Sequence, residues 1–235
     1  MGIFALLFLF PMLLCVWASF RTKSVFKKYS QIATSRQMTG AQVAEKILSI
    51  NNITDVTVEP VQGFLSDHYD PRTKTLRLSP DVFNGYSMAS LGVAAHEVGH
   101  AIQHAKAYAP LQWRSALVPV VTFANTTWTY IIFGGMLLGG ANAALGFKLA
   151  WVGLGVYAVG SLFSLVTLPV EFDASKRALV SLQTGGFVSP EELGGAKKVL
   201  DAAALTYVAA AVASLAQLLY YALQLGLLGG GGRDE

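Results

Sequence analysis

Charge is scarce in this 235-residue chain: 13% of its residues are Asp, Glu, Lys or Arg, against 53% hydrophobic. A soluble domain carries about 25% charge. A chain this poor in charge cannot cover a whole surface facing water, so the deficit points to lipid. Cysteine is almost absent. Cys15 stands alone inside an apolar run, which excludes a disulfide framework and any thiolate metal site. Charge of one sign is not in excess either; a net +3 gives no reason to infer a nucleic-acid partner. Histidine is rare as well, four in the chain, and three of those four fall between residues 96 and 104.

What the chain has in quantity is long apolar runs. Gly2 to Phe20 is apolar, broken only by Pro11 and followed by Arg21, Lys23, Lys27 and Lys28. At ~1.5 Å per residue it covers about 28 Å, enough to cross a hydrocarbon core. Its positive charges follow the run instead of preceding it, the reverse of a cleaved signal peptide. This reads as a signal anchor. Ala116 to about Leu138, Ala143 to about Leu168, and Asp201 to Leu228 make three further spans, the first two separated by Gly139-Gly140. Glycines 134, 135, 139, 140, 153, 155 and 160 suit close helix packing in lipid.

The expected architecture is a mainly α-helical polytopic membrane protein of about four transmembrane helices with a small α+β domain. Its parts are an anchor (1–20), a cytoplasmic domain (21–115), a transmembrane hairpin (116–170), a second cytoplasmic segment (171–200), a last span (201–228) and a flexible tail (229–235). Orientation follows from the cations. Eleven Lys or Arg lie between residues 21 and 115 and four between 171 and 200, leaving Lys148 and Arg233 for the other side. The positive-inside rule puts the two polar segments in the cytoplasm and both termini outside.

Within the first polar segment, Thr39 can cap a helix carrying Val43, Ala44, Ile47 and Leu48 that ends near Asn51-Asn52. Val56–Val58 alternates like a strand. Thr75–Ser79 does so too, behind the Asp70-Pro71-Arg72-Thr73 turn, which predicts a hairpin. Ser79-Pro80 fits the start of a short helix ending at Asn84-Gly85. A longer helix follows from Ser87 or Ser90 to about Lys106, where Tyr108–Leu111 should break it. Gly92 and Gly99 weaken that helix, which predicts another element passing close by.

This helix carries His96-Glu97-Val98-Gly99-His100, an H-E-x-x-H pattern, the signature that makes the expected α+β domain zincin-like. Residues four apart on a helix share a face, so both imidazoles can reach one metal ion, and Glu97 sits beside them as a general base for water that the metal activates. A third ligand is needed. Two spans intervene before residues 171–200, so that segment returns to the same face, and it offers Glu171 and Asp173 on a helix running to Leu182. The two carboxylates point different ways. Glu171 is the preferred ligand, completing a His–His–Glu set for Zn2+. Asp173 is then a support, orienting a ligand imidazole or pairing with Lys176 or Arg177. His104 stands one turn beyond His100; three successive turns of one helix cannot surround one ion, so it is a supporting or solvent-facing group. His68, beside the hairpin turn, either polarises a substrate carbonyl or is a turn histidine. An extended metzincin pattern fails, with Gln103 and Lys106 where its Gly and His would stand.

Four stretches carry a resemblance across almost the whole chain: Ser66–Pro71, Leu76–Ser79, Gly92–Gln103 and Leu168–Ser175. The chain resembles the membrane-bound neutral zinc metallopeptidases of the YugP type, and more distantly the HtpX-type and CAAX prenyl proteases. In the latter the downstream motif has an Asp four residues after its Glu; here that position is Ser175. The resemblance implies a multi-pass protease of the bacterial cell membrane. The expected activity is zinc-dependent hydrolysis of peptide bonds at the cytoplasmic surface, in turnover of membrane or misfolded proteins. The alternatives are a catalytically silent zinc-binding scaffold and cleavage within the bilayer. Thr75 to Ser79 is the expected sheet edge for an extended substrate.

Overall fold

The structure is a computed structural model that describes residues 2–139 and 143–226. The tail expected at 229–235 and Gly140 of the expected Gly-Gly break lie outside the described residues. The chain is mostly helical. A three-residue α1 (Gly2–Phe4) passes through a π-helical stretch, Ala5–Leu9, into α2 (Phe10–Ser30). Pro11 has no N–H and its ring crowds the carbonyl four residues back, which is why the wider turn sits just before it. Then come α3 (Gly40–Ile50), β1 (Thr57–Pro60), β2 (His68–Asp70), β3 (Thr75–Leu78), α4 (Pro80–Phe83) and α5 (Met88–Ala105). Three long helices complete the described chain: α6 (Ala109–Gly139), α7 (Ala143–Thr184) and α8 (Pro190–Gln224).

Among the described residues four helices are long and apolar enough to cross a membrane: Ala5–Ser30, Ala109–Gly135, Ala144–Thr184 and Pro190–Gln224. Each helix extends well past the apolar run that announces it. Helix α7 continues without interruption through Pro169 and into the polar residues beyond it, so the segment expected at 171–182 is the end of α7 itself. The break expected at Tyr108–Leu111 is shorter than that: α5 ends at a Lys106 C-cap and α6 begins at Ala109. Pro110 falls in the first turn of α6, where no helical N–H bond is lost.

Contacts divide the chain into two compact units, Met1–Val16 with Trp113–Thr167 and Tyr207–Glu235, and Trp17–Gln112 with Leu168–Thr206. In the first, Tyr157 donates to Gln217 at 2.6 Å while its ring meets Trp128 and Tyr221 edge-on. Of the glycines expected to allow close packing, Gly135 and Gly153 do so. A Cβ there would lie 3.1 Å from the Gly146 carbonyl and 2.7 Å from Ile132 respectively, whereas Gly134 and Gly155 face open space.

The second unit holds the sheet and α5. Thr39 and Gln42 form a capping box at the start of α3, and Ser87 caps α5 by accepting from the Ser90 N–H. The buried faces of α3 (Val43, Ala44, Ile47, Leu48), β3 (Leu76, Leu78) and α5 (Leu91, Ala94, Val98) share one apolar core with Ala178 and Leu182 of α7. Each fully buried large aliphatic side chain contributes about 1.5–3 kcal/mol. The described sheet has the order β1-β3-β2, with β1 parallel and β2 antiparallel to β3. The hairpin is present, but β3 is its central strand, so Thr75–Ser79 is not the free edge expected for a substrate. The reason lies in burial: Thr75, Leu76 and Leu78 are all buried, and β1 supplies the partner that no local pattern announces. The strands with an unpaired side among the described residues are β1 and β2. Ser79 occupies the N-cap position of α4, yet its hydroxyl and N–H both donate to Asp67, at 3.0 and 2.7 Å. That tie fastens the start of the hairpin to the end of β3.

Candidate metal centre

Helix α5 is buried on almost every side, and His96 and His100 lie one turn apart on the side that meets α7. Gly99 makes the approach possible. A Cβ there would stand 2.5 Å from the Ala174 carbonyl oxygen, and at Gly92 it would stand 3.3 Å from Ala196 of α8. The close neighbours expected from these glycines are therefore α7 and α8. With α7 drawn in, the Glu171 carboxylate reaches both imidazoles: Oε2 is 3.2 Å from His96 Nε2 and 3.6 Å from His100 Nε2. The potential ligand atoms of the three residues all lie within 4.8 Å of one another. Ligand atoms ~2.0–2.1 Å from one zinc ion at tetrahedral angles are about 3.4 Å apart. The two Glu171 distances match that spacing, and the donor set of two imidazoles and a carboxylate suits such an ion.

The far nitrogens of the rings are held as well. His96 Nδ1 lies 3.1 Å from the Ser175 hydroxyl, and His100 Nδ1 lies 3.0 Å from Gln103 Oε1. With Nδ1–H donated to these oxygens, each Nε2 is left with its lone pair directed at the cluster. Gln103 is fully buried and its amide nitrogen donates to the Val170 carbonyl and to Asp173 Oδ2. Asp173 also accepts from Arg177 Nε, and the Arg177 guanidinium lies over the Tyr108 ring. The two carboxylates of α7 thus serve different partners, as their separation on a helix requires.

Glu97 is buried beside the imidazoles. Burial pushes its carboxyl pKa up, while His96 and His100 pull it back without cancelling the rise. Burial works to lower the His100 pKa, but its contact with Glu171 outweighs that and raises it. Burial raises Asp67 against the pull of its two bonds from Ser79.

The other candidates fall outside the three-residue cluster. His104 Nδ1 meets the Tyr69 hydroxyl at 2.8 Å. Burial, with Asp55 and Asp70, pushes that phenol up to about 12, and the contact ties His104 to β2. His68 is exposed and donates to the Ser66 carbonyl at 2.8 Å, the geometry of a turn histidine. Gln103 and Ser175 are the two site residues that reading the pattern missed as partners. Their spacing carries a faint signal, since Gln103 is three residues after His100 and Ser175 four after Glu171, each pair on one helix face.

A helix bearing H-E-x-x-H, closed by a glutamate from a second helix in a chain with four membrane-length helices, defines a class: membrane proteins with a metallopeptidase-type site. More narrowly, the chain belongs to the family described as "Putative neutral zinc metallopeptidase", which matches residues 4–226. It is 47% identical over 212 residues to "Putative membrane protease YugP" of Bacillus subtilis (strain 168), covering 89% of this chain and 91% of that protein. No solved structure matches it significantly.

Proposed function

We propose that this protein is a zinc-dependent endopeptidase of the bacterial cell membrane, with His96, His100 and Glu171 as metal ligands and Glu97 as general base. The observation that carries the reading is the convergence of two Nε2 atoms and one carboxylate oxygen, with each Nδ1 already engaged. A zinc ion held there supplies Lewis acidity, polarising a peptide carbonyl and making water acidic near neutral pH. The chain's own groups do the rest. His96 and His100 present neutral imidazoles in one tautomer, and Glu171 adds the negative charge that suits a dication. Glu97, next in sequence to His96 but not in the ligand set, takes the proton of the attacking water and returns it to the leaving amine. The catalytic part is residues 21–115 with 171–200, zincin-like in laying the motif helix against a small sheet.

Treating the purified full chain with a strong chelator is expected to abolish cleavage of an unfolded protein such as casein, and added zinc to restore it. Cleavage unaffected by chelation would end the proposal. So would zinc binding without any cleavage, which is the outcome for a silent scaffold.

The compartment follows from the cations. The eleven Lys or Arg of residues 21–115 and the four of 171–200 favour the cytoplasmic side for both segments. Glu171 lies only a few residues beyond the apolar part of α7, so loops, termini and damaged segments of membrane or misfolded proteins are the substrates within reach. Single cysteines at Asn84 and Gln183, both exposed, in a Cys15→Ser background should be labelled only from the cytoplasm. Labelling of either from outside would reverse the compartment, and labelling from opposite sides would mean the two halves of the site never meet.

A further inference from the structure

The two parts of the candidate centre come from helices far apart in sequence: His96 and His100 from α5, Glu171 from α7. One side chain touches both. Gln103 lies fully buried on α5, three residues past His100, and makes three hydrogen bonds. Its Oε1 accepts from His100 Nδ1 at 3.0 Å; its Nε2 donates to the Val170 carbonyl at 2.8 Å and to Asp173 Oδ2 at 2.9 Å. The last two acceptors bracket Glu171, one residue before it and two after.

The chemistry of these partners leaves the amide a single orientation. A carbonyl and a carboxylate can only accept, so the NH₂ must face them, and the oxygen must then face the imidazole. That in turn fixes His100 with its proton on Nδ1 and its lone pair on Nε2. A carboxylate in place of the amide would set an acceptor against two acceptors. An apolar side chain of equal size would take one hydrogen bond each from His100, the Val170 carbonyl and Asp173.

From this we propose that Gln103 is a positioning residue for the metal centre, setting the tautomer of His100 and the placement of Glu171 through one amide. Asp173, held by Arg177, completes its anchorage. The inference rests on the ligand assignment above and adds to it a residue that, like Ser175 at His96, joins the two halves. Partners behind a metal-bound imidazole typically influence metal affinity by 10–100-fold, and here the same group also governs the ligand from the other helix.

The test is zinc affinity of the full chain in detergent, read by competition with a chromophoric chelator, with the absorption spectrum of the cobalt-substituted protein as a measure of ligand geometry. Gln103→Met keeps the size of the side chain and removes its bonds; its zinc dissociation constant is expected to rise about 10–100-fold, with an altered cobalt spectrum. Gln103→Glu should weaken zinc as well. Adding Asp173→Asn to it should recover part of the loss, because the new amide can donate where the carboxylate could not. A merely structural role predicts lowered thermal stability, with the zinc affinity and cobalt spectrum of the folded protein unchanged. Wild-type affinity in Gln103→Met overturns the proposal, and so does a double variant that binds no tighter than Gln103→Glu. If the methionine variant does not fold, the Glu variant and its rescue decide alone. His100→Ala, measured alongside, separates the two readings. Zinc retained there sinks the metal site itself, while zinc lost there and kept fully in Gln103→Met sinks only the role of Gln103.

Discussion

Glu97→Gln is expected to bind zinc as the wild type does, unfold at the same temperature, and lose hydrolytic turnover by about 10²–10⁴-fold, the range of a general base's contribution. The expectation comes from where Glu97 sits. It follows His96 directly but does not belong to the cluster of His96, His100 and Glu171, so exchanging its carboxylate for an amide removes the proposed proton acceptor and leaves the proposed ligands. It is buried, and burial opposes its charged form, so a neutral amide of the same shape carries little structural penalty there. The loss should appear in kcat, since a base acts on the attacking water and not on substrate binding. Undiminished cleavage by a zinc-loaded Glu97→Gln protein would exclude Glu97 as the base. The same variant, inactive but able to bind, should retain native substrates in the membrane long enough for crosslinking to identify them.

Glu171→Ala should lose the metal. Removing one of three protein ligands is expected to cost more than the roughly 10–100-fold typical of a supporting partner, and zinc content after dialysis should fall from about one per chain towards none. Glu171 is 2% exposed, so its loss also leaves a hole between α5 and α7. Glu171→Gln, which keeps the volume and a neutral acceptor, separates a packing defect from a lost ligand. It should fold yet still bind zinc weakly, because it lacks the charge that balances the dication. His68→Ala should keep its zinc, given that His68 is exposed and donates to a carbonyl of its own turn. Full metal in Glu171→Ala, or loss of metal in His68→Ala, would require a different third ligand.

The features legible in the chain are those settled by neighbours in sequence. The Thr39–Gln42 capping box, the Ser87 cap, Pro80 at a helix start and the stop at Asn51 all depend on groups within a few residues. The four membrane-length helices follow from apolar length alone. Gly99 is an intermediate case. Its cost to the helix announces a close neighbour, but only the fold names that neighbour as the Ala174 carbonyl. Thr75–Leu78 reads as an edge in the sequence but is central in the sheet, because the parallel partner of β3 is β1, which precedes the whole hairpin and leaves no mark on Thr75–Leu78 except burial.

By itself, then, the sequence determined the membrane-length apolar runs and the shared face of His96 and His100, because composition and helical spacing are local properties of the chain, while the family followed from the resemblance of four stretches. The tertiary structure decided what stands behind each imidazole. Ser175 and Gln103 are neutral, common residues whose hydrogen-bonding groups could serve anywhere. They become the partners of His96 and His100 only because α7 packs against Gly99 and brings Val170, Glu171, Asp173 and Ser175 alongside the motif helix. A hydrogen bond depends on the position and angle of two groups at once, and no spacing within one strand of sequence can specify that.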